Sequence, residues 1–316
     1  MKRKNSKTQL KGILYKAVPL WLVIVIVFNS VFSISFLEYL IMKKNFNEAI
    51  ASLAKTTKNP DDLVQVLKQK VLPQNGYVLA VVWGDIGKQL LESGAIDKVK
   101  YDQQFAAEAG SKEMMQYLER FSVNHMTVNE KNSHFMVNTL WALGLVNKSK
   151  TLEEGPMRTT PNIETGNMAS TGGWTLGAKQ PMELYSSKSL ISLTSEQEEL
   201  VKKIASNIYR PCCGNSTYFP DCNHGMAALG YIELAVKQGV PEARIYKDIL
   251  VLNSFWFPQQ YVNLAAYFNK QGTVWDKVDP KLALGVDYSS GQGAQKIQQE
   301  IQDVPGLNVK GGGCGA

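Results

Sequence analysis

The stretch that most limits what this chain can fold into is Ala17–Phe36, twenty residues without a charge. At the rise of an α-helix, a run of that length spans roughly 30 Å, the hydrocarbon thickness of a bilayer. Asn29, Ser30, Ser33 and Ser35 weaken its second half, but Leu37, Tyr39, Leu40, Ile41 and Met42 extend the apolar length past Glu38. Six basic residues precede it (Lys2, Arg3, Lys4, Lys7, Lys11 and Lys16), and only Lys43 and Lys44 follow closely. That asymmetry sets the N-terminus in the cytoplasm and everything after about residue 43 outside. A cleaved signal peptide would have an apolar region of about 7–15 residues and then a small-x-small site. Here Ser33-Ile-Ser35 is a poor match and lies before further apolar residues. The expectation is an uncleaved, single-pass anchor in the cell membrane.

Charge confirms how local the basic character is. The formal net charge is +6, but without residues 1–16 the rest holds 28 basic and 28 acidic residues. A neutral folded part lacks the electrostatic footprint of a nucleic-acid binder. With 316 residues and 44% apolar content, the chain has ample material for a core. The sequence divides into a basic cytoplasmic tail at 1–16, the transmembrane anchor at 17–42, and a helical stalk or linker at 43–74. An extracytoplasmic domain at 75–305 and a flexible Gly-rich tail at 306–316 carrying Cys314 complete it.

Within the expected domain the periodicity is mostly helical, with at most a few short strands. Pro60-Asp-Asp opens one helix, since acids in a first turn oppose its dipole. Tyr77–Trp83 is a β-rich apolar run. A helix then stops at Gly94, another starts with Asp97 as its cap, and a third covers 111–121. The segment 132–145 reads as a helix with one buried face, with His134 at its start and His125 upstream; each reads as a surface or capping residue. Residues 155–179 form the longest irregular stretch, a Gly-shaped loop expected to pack under Trp174. It has neither the spacing of a phosphate loop nor a Gly-x-Ser-x-Gly elbow. Further helices follow at 192–208 (capped by Thr194), 224–238, 241–252, 255–269 and 290–301, with a short one from Asp279. The fold class is therefore mainly α: an N-terminal transmembrane helix, then a compact helical extracytoplasmic domain.

The concentrated chemistry lies in Tyr209–Gly230, which holds Cys212, Cys213, Cys222 and His224. Asp221 or Asn223 is the expected cap of the helix opening at His224. A helix N-terminus favours a thiolate at Cys222 and a neutral imidazole at His224. Three readings compete. A metal site would use Cys212 or Cys213 with Cys222 and His224, completed by Cys314 or Met226, and these donors suit Zn or Cu. The spacing is not that of a zinc finger or ribbon, and no Cys-x-x-Cys-His supports a c-type haem. A thiol–disulfide exchange role would use the vicinal pair or a Cys213–Cys222 disulfide acting on a redox or protein partner. A purely structural Cys213–Cys222 bond would close a loop of about ten residues and contribute on the order of 2–3 kcal/mol, in a scaffold or interaction module. That last reading leaves one member of the vicinal pair unused.

Several longer motifs carry a resemblance. Trp83-Gly-Asp-Ile-Gly87, Asn138–Leu145, Ala169-Ser-Thr-Gly-Gly-Trp174, Tyr209-Arg-Pro-Cys-Cys-Gly-Asn215 and Asp221-Cys-Asn-His-Gly225, with the Gly-Gly-Gly-Cys-Gly tail, resemble an uncharacterised family of membrane-anchored prokaryotic proteins. The resemblance covers roughly residues 75–316 and implies no activity, cofactor or residue role. No paired acids, triad or phosphate loop is found, so no catalytic residue is assigned. The expected function is binding of a soft or borderline metal, Cu or Zn, through Cys212, Cys213, Cys222, His224 and Cys314.

Overall fold

The structure is a computed structural model that describes residues 60–304 and Leu307. The expected anchor, most of the stalk and Cys314 lie outside these residues. Among the described residues no helix is long and apolar enough to cross a membrane.

The described part is mainly helical with two short strands, in the order α1 (Pro60–Val71), β1 (Tyr77–Gly84), α2 (Ile86–Ser93), α3 (Lys98–Phe105), α4 (Ser111–Glu119), β2 (Ser122–Val128), α5 (Ser133–Val146). After the irregular stretch come α6 (Ser195–Ala205), α7 (Asn223–Lys237), α8 (Glu242–Trp256), α9 (Pro258–Lys270) and α10 (Gly291–Glu300), with shorter turns between. Helix α1, assigned to the stalk from the sequence, packs on α9 and buries Leu67 and Val71.

Local chemistry starts these helices where the sequence places them. Asp97 accepts from the Val99 and Lys100 amides at the head of α3. Thr194 and Gln197 exchange side-chain-to-backbone bonds in a capping box on α6. Asp279 accepts from the Lys281 amide, and Ser290 from that of Gly293.

Strand β2 has no equivalent in the sequence reading. It pairs antiparallel with β1 in the register Tyr77↔Val128, Val78↔Thr127, Val82↔His125 and Gly84↔Ser122. The other edge of β1 is closed by side chains instead of a third strand. Asp248 on α8 accepts from the Ala80 amide at 2.8 Å, and Gln238 bonds both the Val82 amide and its carbonyl. Asp248 is fully buried and also accepts from Tyr77, Tyr231 and the Arg244 guanidinium. Four donors compensate a buried carboxylate that would otherwise be costly.

The expectation of one buried face on α5 needs correction, because every residue from Phe135 to Val146 is buried. The cause is α7, which crosses α5 at Gly144 and Gly230. A Cβ on Gly144 would stand 2.1 Å from the Met226 carbonyl oxygen, and one on Gly230 would stand 2.7 Å from the Gly144 amide. The two backbones therefore touch, and α7 is equally enclosed from His224 to Val236. This pair forms the middle of the core and aims the N-terminus of α7 at the cysteine stretch.

One core carboxyl yields a pH test. Glu233 on α7 is fully buried and accepts from Asn147 at 2.8 Å, while its second oxygen has no partner. Burial pushes its pKa up to about 8 from an ordinary 4.5. A raised folded-state pKa stabilises fully at low pH, and that contribution is lost as pH climbs from the unfolded value through the folded one. Glu233→Gln stays neutral and can donate to the nearby Ser149 hydroxyl, itself without a partner. In urea unfolding the variant should match wild type at pH 5 and exceed it by about 3 kcal/mol at pH 8. Parallel stability curves across that window would show that Glu233 does not titrate there.

Candidate metal centre

The segment between α6 and α7 is built around a guanidinium. Arg210 is 1% exposed. Its Nε donates to Cys222 Sγ at 3.0 Å, its Nη1 to the Asn215 carbonyl at 2.9 Å, and its Nη2 to the Phe219 carbonyl and, at 2.6 Å, to Asp221. Asn215 also donates to Asp221. The loop from 212 to 221 thus wraps a buried cation that supplies its hydrogen bonds. Gly225 makes this possible, since a Cβ there would lie 2.5 Å from the guanidinium carbon.

These bonds also change the cap expected for α7. Asp221 is committed to Arg210 and Asn215, and Asn223 accepts only from the adjacent His224 amide. The cap is Cys222 itself, in an extended conformation, its sulfur accepting from the Gly225 amide at 3.4 Å. Hydrogen bonds from Cys212 and Cys213 hold Cys222 well below the ordinary thiol range, aided by the Arg210 charge and a bond from His224, against the opposing effect of burial. Cys212 is pushed up by its hydrogen bonds to Cys213 and Cys222 and by burial. Cys213 rises to about 11: its bond with Cys212 lowers it, but its bond with Cys222 and burial outweigh that. Of the three sulfurs, Cys222 is the one whose surroundings favour the thiolate.

The vicinal cysteines have different nearest partners. Cys212 Sγ stands 3.5 Å from Cys222 Sγ, whereas Cys213 Sγ turns to the Asn215 carbonyl and Asp221, each at 3.9 Å. All three are free thiols, because a disulfide needs about 2.05 Å between sulfurs. The partner standing next to Cys222 is Cys212, not the Cys213 expected for a loop-closing bond. The expected ligand set separates accordingly. Cys212, Cys222 and His224 bring two sulfurs and a ring nitrogen within 4.8 Å of one another. Cys213, Asp221 and Cys222 meet the same limit, but Arg210 already places a cation on two members of that group. Cys314 lies outside the described residues.

Two sulfurs bound to one tetrahedral Zn at the usual bond length lie about 3.8 Å apart, close to the 3.5 Å here. His224 is 1% exposed, its ring set between Phe257 and Trp256 at centroid distances of 4.4 and 5.8 Å. Its Nδ1 is buried without a hydrogen-bond partner, and one of its two ring nitrogens lies within 4.8 Å of both sulfurs. The donor set fits a borderline or soft divalent metal.

Sequence reasoning missed the cavity beside this group. It encloses about 520 Å³, and Cys212, Cys222, Trp141, Trp174, His134 and Asn138 line it. The irregular stretch forms part of its wall: the Ser170 amide donates to the Asp221 carbonyl, and Trp141 donates to the Ser170 carbonyl. Trp174 is buried as expected and donates to the Ala95 carbonyl. His134 pairs with Glu108 at 2.6 Å, while His125 lies exposed on β2. Arg210 was missed too, its only signal being a basic residue directly before Pro-Cys-Cys. Comparison with protein-family models, curated proteins and solved structures returns no match.

Proposed function

We propose that this is a membrane-anchored, extracytoplasmic carrier or sensor of Zn or Cu, which it binds through Cys212, Cys222 and His224. The observation that carries the reading is the convergence of two sulfurs and a buried ring nitrogen within 4.8 Å. The short sulfur separation favours four-coordinate Zn over two thiolates on opposite sides of Cu. The uncharged run at 17–36 and the basic residues before it support the anchor and its orientation. Cys314, the further ligand expected from the sequence, lies outside the described residues.

A second reading, thiol–disulfide exchange, has its own support. A stabilised thiolate at Cys222 with a second sulfur 3.5 Å away is a reactive dithiol arrangement. Full-length protein purified in detergent separates the two. Elemental analysis should find about one Zn or Cu per chain, and alkylation mapped by mass spectrometry should find Cys212 and Cys222 unpaired. A Cys212–Cys222 disulfide without metal would sink the metal reading, and its ready reduction by a mild dithiol would favour exchange chemistry.

A further inference from the structure

Two of the three converging donors, Cys212 and Cys222, line the cavity, so the centre faces it. Three protein ligands with an open fourth position are typical of metal sites that bind an exogenous molecule, whereas purely structural sites are closed. A volume of about 520 Å³ is in the range that holds a small molecule.

The walls restrict the chemistry of that molecule. Among the described residues no Lys, Arg, Asp or Glu lines the cavity, so a phosphate or carboxylate would meet no counter-ion there. Trp141 and Trp174 pack edge to face at 4.8 Å, and their N–H groups are taken by the Ser170 and Ala95 carbonyls. They present apolar ring surface alone. Polar side chains come from Gln104, His134, Asn138, Thr175 and Asn223, all uncharged but for the titratable imidazole. Asn138 spends its N–H on the His134 carbonyl, which leaves its side-chain oxygen as an acceptor. His134 has Nδ1 2.6 Å from Glu108; with Nδ1 donating to that carboxylate, Nε2 is left as an acceptor. Glu108 behind it offsets the charge of an imidazolium.

We infer that the cavity binds an uncharged, low-molecular-weight thiol, whose sulfur becomes the fourth ligand of the metal held by Cys212, Cys222 and His224. This rests on the metal reading above and names the ligand of that site. The thiol S–H bond breaks, its proton moves to Nε2 of His134, and a sulfur lone pair forms the bond to the metal. No electron is transferred and nothing leaves the cavity. Charge favours the step: a divalent metal with two thiolates and a neutral imidazole is neutral overall. An added thiolate is balanced by the proton kept on His134, so the uncharged cavity never holds net charge. A soft sulfur donor also suits a metal that already has two thiolates.

The test uses full-length protein in detergent loaded with Co²⁺, whose visible bands report coordination. With 2-mercaptoethanol, the bands and the sulfur-to-cobalt charge transfer should shift saturably while cobalt stays bound. Mercaptosuccinate, a charged thiol, should need about tenfold more. Ala169→Phe, at the exposed cavity rim, and His134→Gln should both take up cobalt normally and need about tenfold more 2-mercaptoethanol. A cobalt spectrum indifferent to thiols, or a wild-type response to 2-mercaptoethanol in both variants, would overturn this inference and leave the metal reading standing. Failure to take up cobalt at all would overturn the metal reading and this inference with it.

Discussion

Cys222→Ser is expected to lower metal affinity by about 100-fold or more, while the metal-free protein keeps its stability within about 1 kcal/mol. The two effects separate because Cys222 has two roles. As a ligand its sulfur cannot be replaced by a serine hydroxyl, which does not ionise at neutral pH. As the cap of α7 it is easily replaced, since serine is among the preferred capping residues and the Gly225 amide and Arg210 Nε need only an acceptor. Competition titration with a chromogenic chelator reads the first effect, and urea unfolding of the metal-free protein reads the second. Retained affinity in the variant would remove Cys222 from the ligand set. A large loss of stability without metal would instead make its role structural.

Arg210→Met should cost about 3–5 kcal/mol, the range for breaking a buried ion pair by removing one partner. Methionine fills much of the same volume, so the loss isolates the charge and its bonds. It would take the Arg210 donors from Asp221, the Asn215 and Phe219 carbonyls and the Cys222 sulfur, leaving Asp221 only Asn215 and Cys222 the Gly225 amide as strong donors. Alkylation of Cys222 by iodoacetamide near neutral pH should slow in parallel, because the thiolate loses the cation beside it. Arg210→Lys should recover only part of either effect, since a lysine ammonium cannot reproduce the planar fork. Unfolding midpoints and alkylation rates measured together check this. Wild-type stability in Arg210→Met would mean that the 212–221 loop is held by something other than the guanidinium.

Much of the helical framework was legible because it rests on short-range chemistry. The Asp97, Thr194, Asp279 and Ser290 caps satisfy amides two or three residues away, and nothing distant is needed to recognise them. Strand β2 was not legible. Ser122-Val-Asn-His-Met-Thr-Val128 leaves Val123 72% exposed and His125 in solvent, so it shows no clean alternation. It is a strand because β1 offers it an edge. The enclosure of α5 was equally hidden, since a helix shows its apolar residues but not that a partner will touch it at Gly144.

The site divides along the same line. Sequence spacing alone marked Cys212, Cys213, Cys222 and His224 as the chemistry-bearing group, because thiols and an imidazole crowded beside a helix start stand out in any chain. It left open which vicinal cysteine faces Cys222. Tertiary structure decided that: Arg210 takes the Asp221 side chain and the Asn215 and Phe219 carbonyls, Cys213 lies nearest that side, and Cys212 stands beside Cys222 and His224. Only tertiary structure brought His134, Trp141 and Trp174 to the same cavity, since they lie 38 to 90 residues from Cys212 and His224 along the chain. Local order depends on bonds between neighbours in sequence; a cavity depends on which distant surfaces meet, and here the contact of α5 with α7 sets that.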